Sequence, residues 1–242
     1  MTLIATLLVA MPTRGAEFFY MDRDAFTDRY IGAVGPLVLS GDILQGDYDR
    51  LLSKIAADPE RFLTLNQMLL ASIAGDGREA MRIAGLLKLL HSRVIVTPLT
   101  GRCSGPCFLI YAAAAERGTD GEHLIGFSRS SQEDAAVRDF MRDNEVPDQL
   151  TAQMLHRPAD ELYWLSAEDE ATLKYKSPAF DRYLVAKCGW DDAVERQVNT
   201  GARPGSDMAP MWACRRRITG IDARKALATL RNSGPASPRA VP

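Results

Sequence analysis

Ser104 is the one serine in the chain whose neighbours could make it a nucleophile. It stands in Gly101-Arg102-Cys103-Ser104-Gly105-Pro106-Cys107, just ahead of the apolar stretch Phe108–Ala115. A serine at the mouth of a buried helix can attack a carbonyl if an imidazole takes its proton and backbone amides hold the oxyanion. On that reading Gly105 supplies an amide and Pro106 takes a helical position that tolerates proline. Only His91, His123 and His156 could act as bases, and each is also an ordinary surface or half-buried histidine. The plainer reading of Ser104 is a helix cap that accepts first-turn amides.

Four cysteines complete the reactive inventory: Cys103, Cys107, Cys188 and Cys214. An even number suits an oxidising compartment. A Cys188–Cys214 bridge would pin the C-terminal part to the body, while Cys103 and Cys107 could pair or remain buried thiols. No histidine lies beside either pair and the spacing is not that of a zinc site, so no metal is expected and no cofactor is implied. Gly75-Asp76-Gly77 reads as a turn, because neither a dinucleotide fingerprint nor a phosphate loop follows it. Ser166 to Glu170 read as a serine-capped helix start with acids in its first turn. Trp164, Trp190 and Trp212 read as packing residues, and Arg215-Arg216-Arg217 as a solvated helix face.

These residues must be positioned by a substantial core. The chain has 242 residues, 46% of them hydrophobic and 25% charged, with a net charge of −2. That is an ordinary globular composition, with no global field to attract nucleic acid. The patterns predict strands at 36–40, 62–70, 94–97 and 124–127, alternating with helices at 47–57, 78–90 and 108–115. Such alternation points to an α/β domain of βαβ units. From Gln132 onward helical patterns dominate, and Ser233 to Pro242 read as a disordered tail. Leu3 to Ala10 form an apolar run too short to span a bilayer, followed by Pro12 and small residues ending at Ala16. Residues 1–16 therefore read as a signal peptide, against the alternative of a buried N-terminal strand. No other stretch reaches membrane-spanning length.

In order, Leu39-Ser-Gly-Asp-Ile43, Ser72-Ile-Ala-Gly-Asp-Gly-Arg-Glu-Ala80, Gly101–Cys107, Glu116-Arg117, Ile125-Gly-Phe-Ser-Arg129 and Tyr163–Glu168 resemble the exported branch of the Clp-protease-like families, within the crotonase superfamily. The resemblance spans residues 36 to 190. It implies a spiral core of repeated ββα units over 17–190, a helical C-terminal extension over 191–232, homo-oligomeric assembly and a periplasmic or secreted location. It also implies a serine-protease site, and the chain departs from the family at almost every chemical position. The nucleophile position falls on Gly105 and the following oxyanion donor on Pro106, which has no N–H. Ser128 stands at the base position. Ser72-Ile73-Ala74-Gly75 replaces the family's Ser-Pro-Gly-Gly turn, and the acid position falls near Leu162, beside Asp160 and Glu161. The resemblance thus implies a pseudoenzyme whose groove, between Ala74-Gly75 and the helix after Pro106, takes an extended peptide or an envelope protein without cleaving it. A serine hydrolase using Ser104 with a non-standard base is the alternative. Acyl-thioester chemistry of the crotonase kind ranks below both.

Overall fold

The computed structural model describes residues 15–21, 35–129, 134–158 and 161–232. Residues 3–10 of the expected leader, the tail, Ser130 and Asp160 lie outside them.

Four similar units follow one another. Strand β2 (Leu37–Ser40) leads through Ile43 to helix α1 (Asp47–Ala57), and a short helix α2 (Pro59–Leu65) leads on to the second unit. There β3 (Gln67–Ala71) leads through Ser72–Gly75 to α3 (Gly77–Leu89). Strand β4 (Arg93–Val96) leads through Cys103 to α4 (Pro106–Ala113), and β5 (Glu116–Thr119) through Ile125 and β6 (Gly126–Phe127) to α5 (Asp134–Asp143). Strands β2 to β5 run parallel in one sheet, and β1 (Glu17–Tyr20) pairs antiparallel with β2 at its edge. The linking segments form a second layer of parallel bridges, Ile43 to Gly75, Ser72 to Cys103 and Cys103 to Ile125. Each unit therefore contributes one strand to each layer and then a helix, which is the ββα spiral of an α/β domain.

The core follows from the sequence pattern. Leu37, Leu39, Met68, Leu70, Val94 and Val96 point to the side of the sheet covered by Ile83, Leu87, Phe108 and Ile110 of α3 and α4. Val38, Leu69 and Ile95, from the alternate positions, form a smaller cluster, as period-two side chains must.

Two expectations change. Residues 59–65 are helical, not the start of a strand. Asp58 accepts the Arg61 amide, Pro59 opens the helix, and Asn66 closes it in the left-handed region at φ 48°, the three signals that bound a short helix. Strand β5 takes Glu116 and Arg117, which the apolar pattern leaves at the end of a helix.

The C-terminal half is helical apart from β7 (Tyr163–Trp164), which pairs antiparallel with β6. Its helices are α6 (Asp148–His156), α7 (Ala167–Leu173), α8 (Pro178–Cys188), α9 (Asp192–Asn199) and α10 (Ala209–Asn232). A capping box between Ser166 and Asp169 starts α7, in the manner the sequence predicts. The extension is fastened to the body in several ways. A disulfide joins Cys188 of α8 to Cys214 of α10. Phe180, Leu184, Trp190 and Met208 form a second apolar cluster with Ala115. Arg215 is no solvated residue, because it pairs with the buried Glu116. Lys176 gathers Asp181, Asp192 and Glu195 at 3.2, 2.5 and 2.7 Å. At the far end of α10, Arg224 bonds Glu60 at 2.7 Å, and Arg231 donates to the Ala56 carbonyl. No helix among the described residues is long and apolar enough to cross a membrane.

His91 sits at this seam, between α3 and β4. Its ring stacks on Tyr183 at 4.7 Å and lies 5.5 Å from Phe180, with Asp222 at 4.0 Å. Burial holds it below the ordinary histidine value, against the pull of Asp222. A histidine so depressed takes up its proton more readily in the unfolded chain, so the stability present above pH ~6.5 declines as the pH falls through that value. Between pH 7 and 5 the melting temperature should fall more steeply for the wild type than for His91→Asn, which tolerates the φ of 52°. Parallel melting curves across that range count against this account.

Candidate functional site

The second layer brings three loops side by side. The Ser104 amide donates to the Ser72 carbonyl at 2.9 Å, the Cys103 amide to Leu124 at 2.9 Å, and the Gly126 amide to Cys103 at 2.9 Å. The segments after β3, β4 and β5 are thereby locked together, and any chemistry of the sequence motifs must happen there.

Ser104 to Cys107 form a tight turn ahead of α4. Gly105 adopts φ 58° and ψ −125°, a conformation natural to glycine. The Cys107 amide closes the turn onto the Ser104 carbonyl at 3.2 Å, and the Phe108 amide bonds the Gly105 carbonyl at 3.0 Å. The buried disulfide Cys103–Cys107, with 5.3 Å between its Cα atoms, brackets Ser104, Gly105 and Pro106. Pro106 has no N–H, and the next two amides are turned back into the chain. Positions 106 to 108 therefore aim no amide at an oxyanion.

Ser104 is 1% exposed, and its hydroxyl donates to the Ile73 carbonyl at 3.4 Å. It is not a side-chain cap: Gly105 holds the N-cap position and no side chain bonds the first turn. None of the three histidines hydrogen-bonds to it among the described residues. His91 is packed under α8. His123 sits in an exposed turn at φ 54°. His156 places its Nδ1 2.7 Å from the Ala152 carbonyl in α6.

Gly105 and Ser128 do meet. A Cβ built on Gly105 would lie 3.5 Å from the Ser128 Oγ and 3.5 Å from the Ile73 carbonyl, both ordinary contacts. The two positions to which the resemblance assigns nucleophile and base thus face each other, occupied by a hydrogen atom and a hydroxyl. Ala74 and Gly75 are exposed beside them. Gly75 has φ 135°, and a Cβ there would fall 2.1 Å from the Ile43 carbonyl oxygen. Close backbone approach, with Ile43 bonded to Ala74 and Asp76 at 3.1 and 2.7 Å, accounts for this glycine.

The acid position is committed elsewhere. Glu161 pairs with Arg157, and Leu162 is exposed. Nearby Asp169 accepts from the Tyr163 hydroxyl at 2.7 Å and from the Ser166 amide and hydroxyl at 3.0 and 2.8 Å. Desolvation pushes its carboxyl up, and these hydrogen bonds outweigh that and hold it below the usual carboxylate range. Arg102 lies over Trp164 at 4.8 Å, and Arg129 pairs with Asp134 at 2.8 Å. Among the described residues no group of three His, Cys, Asp or Glu side chains could hold a metal ion.

Sequence reasoning missed Ile73. It is 64% exposed, directly before Ala74 and Gly75, and its carbonyl oxygen lies 3.5 Å from where a Gly105 Cβ would stand. Its position between the polar turn formers Ser72 and Asp76 was the available signal.

No family model matches the chain, and no curated protein matches it. Among solved structures it is similar to ClpP1 from Listeria monocytogenes, with a TM-score of 0.39 and 14% identity over 57% of this chain and 86% of that one. It is also similar to a Bordetella parapertussis protein described as an enoyl-CoA hydratase/isomerase, with a TM-score of 0.37 and 15% identity over 90% and 99% of the two chains.

Proposed function

We propose that the chain is an exported, ClpP-like pseudoenzyme, a homo-oligomer that binds extended peptide or an unfolded segment of an envelope protein without cleaving it. The observation that carries this reading is the facing pair Gly105 and Ser128, with neither a nucleophile nor an imidazole between them. Pro106 adds to it by removing an oxyanion donor, and the buried hydroxyl of Ser104 by pointing at a carbonyl. What remains beside them is the exposed segment Ile73–Gly75. Such an edge suits main-chain hydrogen bonding to an added strand, with Ile73 supplying an apolar contact.

Wild-type protein incubated with a reactive fluorophosphonate should show no adduct by intact mass, and Ser104→Ala should behave identically. A stoichiometric adduct that maps to Ser104 overturns the pseudoenzyme reading in favour of a hydrolase with a displaced nucleophile. A peptide library in which no member binds above background overturns the binding reading.

A further inference from the structure

Ala16 is part of the folded body. It is 2% exposed, stands directly before β1, and its amide donates to the Asp47 Oδ2 at 3.0 Å. Asp47 is the first residue of α1 and is 0% exposed. The same oxygen accepts the Leu44 amide at 2.7 Å. The other oxygen, Oδ1, is buried. Its charge is met by the guanidinium of Arg50, a side chain about half exposed to solvent.

A buried charge demands close compensation, and a side chain half in solvent supplies it incompletely. Gly15 lies against the same carboxylate and its guanidinium partner. A Cβ on it would fall 2.8 Å from the Asp47 Oδ1 and collide with the Arg50 guanidinium. If the chain started at Ala16, its terminal nitrogen would keep the bond to Oδ2. It would also bring a full positive charge and two further protons to the buried carboxylate.

We propose that the Gly15–Ala16 peptide bond is a processing site, and that the mature chain begins with an α-ammonium at Ala16 buried against the Asp47 carboxylate. Hydrolysis adds one water across the bond, leaving a carboxylate on Gly15 and the ammonium on Ala16. The catalyst is a peptidase of the export machinery with small-residue specificity. The sequence before the bond suits that class, with Thr13 and Gly15 at the third and first positions before the cut and Arg14 between them. A cut one residue later, at the 1–16 boundary read from composition, places Arg14 and Ala16 in those positions and removes the residue that Asp47 holds. The inference shares with the function proposal only the premise of export, and peptide binding is measured independently on protein purified without export.

The test is N-terminal sequencing and intact mass of the full-length chain, directed by its own leader and recovered from the periplasm of a Gram-negative host. A single N-terminus at Ala16 is expected. Retention of residues 1–15, or a different N-terminus, overturns the proposal. A second measurement separates the ion pair from the cut. Chains starting at Ala16 and at Gly15, each released from a tag with no residue left behind, should differ in melting temperature. The Ala16 form should be higher by on the order of 5 °C, and the difference should vanish in Asp47→Asn. Equal melting of the two wild-type chains overturns the buried ammonium.

Discussion

The triple variant Gly105→Ser, Pro106→Ala and Ser128→His is expected to react with a fluorophosphonate at least ~10²-fold faster than the wild type, the size of effect associated with one restored oxyanion donor. The backbone already holds position 105 at φ 58° and ψ −125°. A serine there carries a strain of about 1–3 kcal/mol, borne by the turn hydrogen bond and the disulfide that bracket it. Its Cβ fits without collision and lies 3.5 Å from the Oγ of residue 128, so an imidazole at 128 stands in reach of the new hydroxyl. Alanine at 106 returns the missing N–H. Adduct formation is read by intact mass, with Gly105→Ser alone as the reference for an unassisted serine. A triple variant that keeps the wild-type circular dichroism and stays inert would show that 105 and 128 do not form a nucleophile–base pair.

Gly75→Ala should be the most disruptive single change in the second layer. The φ of 135° is unfavourable for any side chain, and the new methyl would meet the Ile43 oxygen, nitrogen and carbonyl carbon at 2.1, 2.6 and 2.8 Å. These are backbone atoms and cannot rotate away. Relief requires the 72–75 segment to leave Ile43, with loss of the bonds to Ala74 and Asp76 and disturbance of Asp76, whose carboxylate accepts the Glu79 amide at 2.9 Å at the start of α3. Strain and lost hydrogen bonds together come to about 4 kcal/mol, or a fall of roughly 10 °C in melting temperature for a chain of this size. Ala74→Gly, one residue away and exposed, should cost under ~1 kcal/mol. If Gly75→Ala melts within 2 °C of the wild type, the close approach to Ile43 does not account for the glycine.

Much of the chain path is legible in its apolar pattern. Leu37–Leu39, Val94–Val96 and the periodic face of 78–90 announce buried strands and a helix because their partners are apolar and nearby. Glu116-Arg117-Gly118-Thr119 announces nothing of the kind, yet it forms the last strand of the five-stranded sheet, with its two charged residues buried. Its two charged residues are tolerated because Arg215, 99 residues on, meets Glu116, and because Arg117 donates to the carbonyls of Ala112 and Lys174. Of those partners only Ala112 lies in the same stretch of sequence; Lys174 and Arg215 are 57 and 99 residues away. The site divides in the same way. Gly105 and Pro106 reveal a turn and a missing amide from composition alone. That Ser128 faces Gly105, and that Ile43 dictates Gly75, depends on loops from four successive units lying side by side.

The last helix changes how the spiral behaves as a whole. In an array of units that touch only their neighbours, an end can fray without disturbing the rest. Here α10 reaches from the final disulfide back to the first unit, with contacts separated by 164 and 175 residues at Arg224–Glu60 and Arg231–Ala56. Such closures form late, because so long a loop must be brought together first. Once made, they link the two ends, so opening of the first unit also gives up its contacts with the last helix. Melting followed in the first unit and in α10 is therefore expected to coincide.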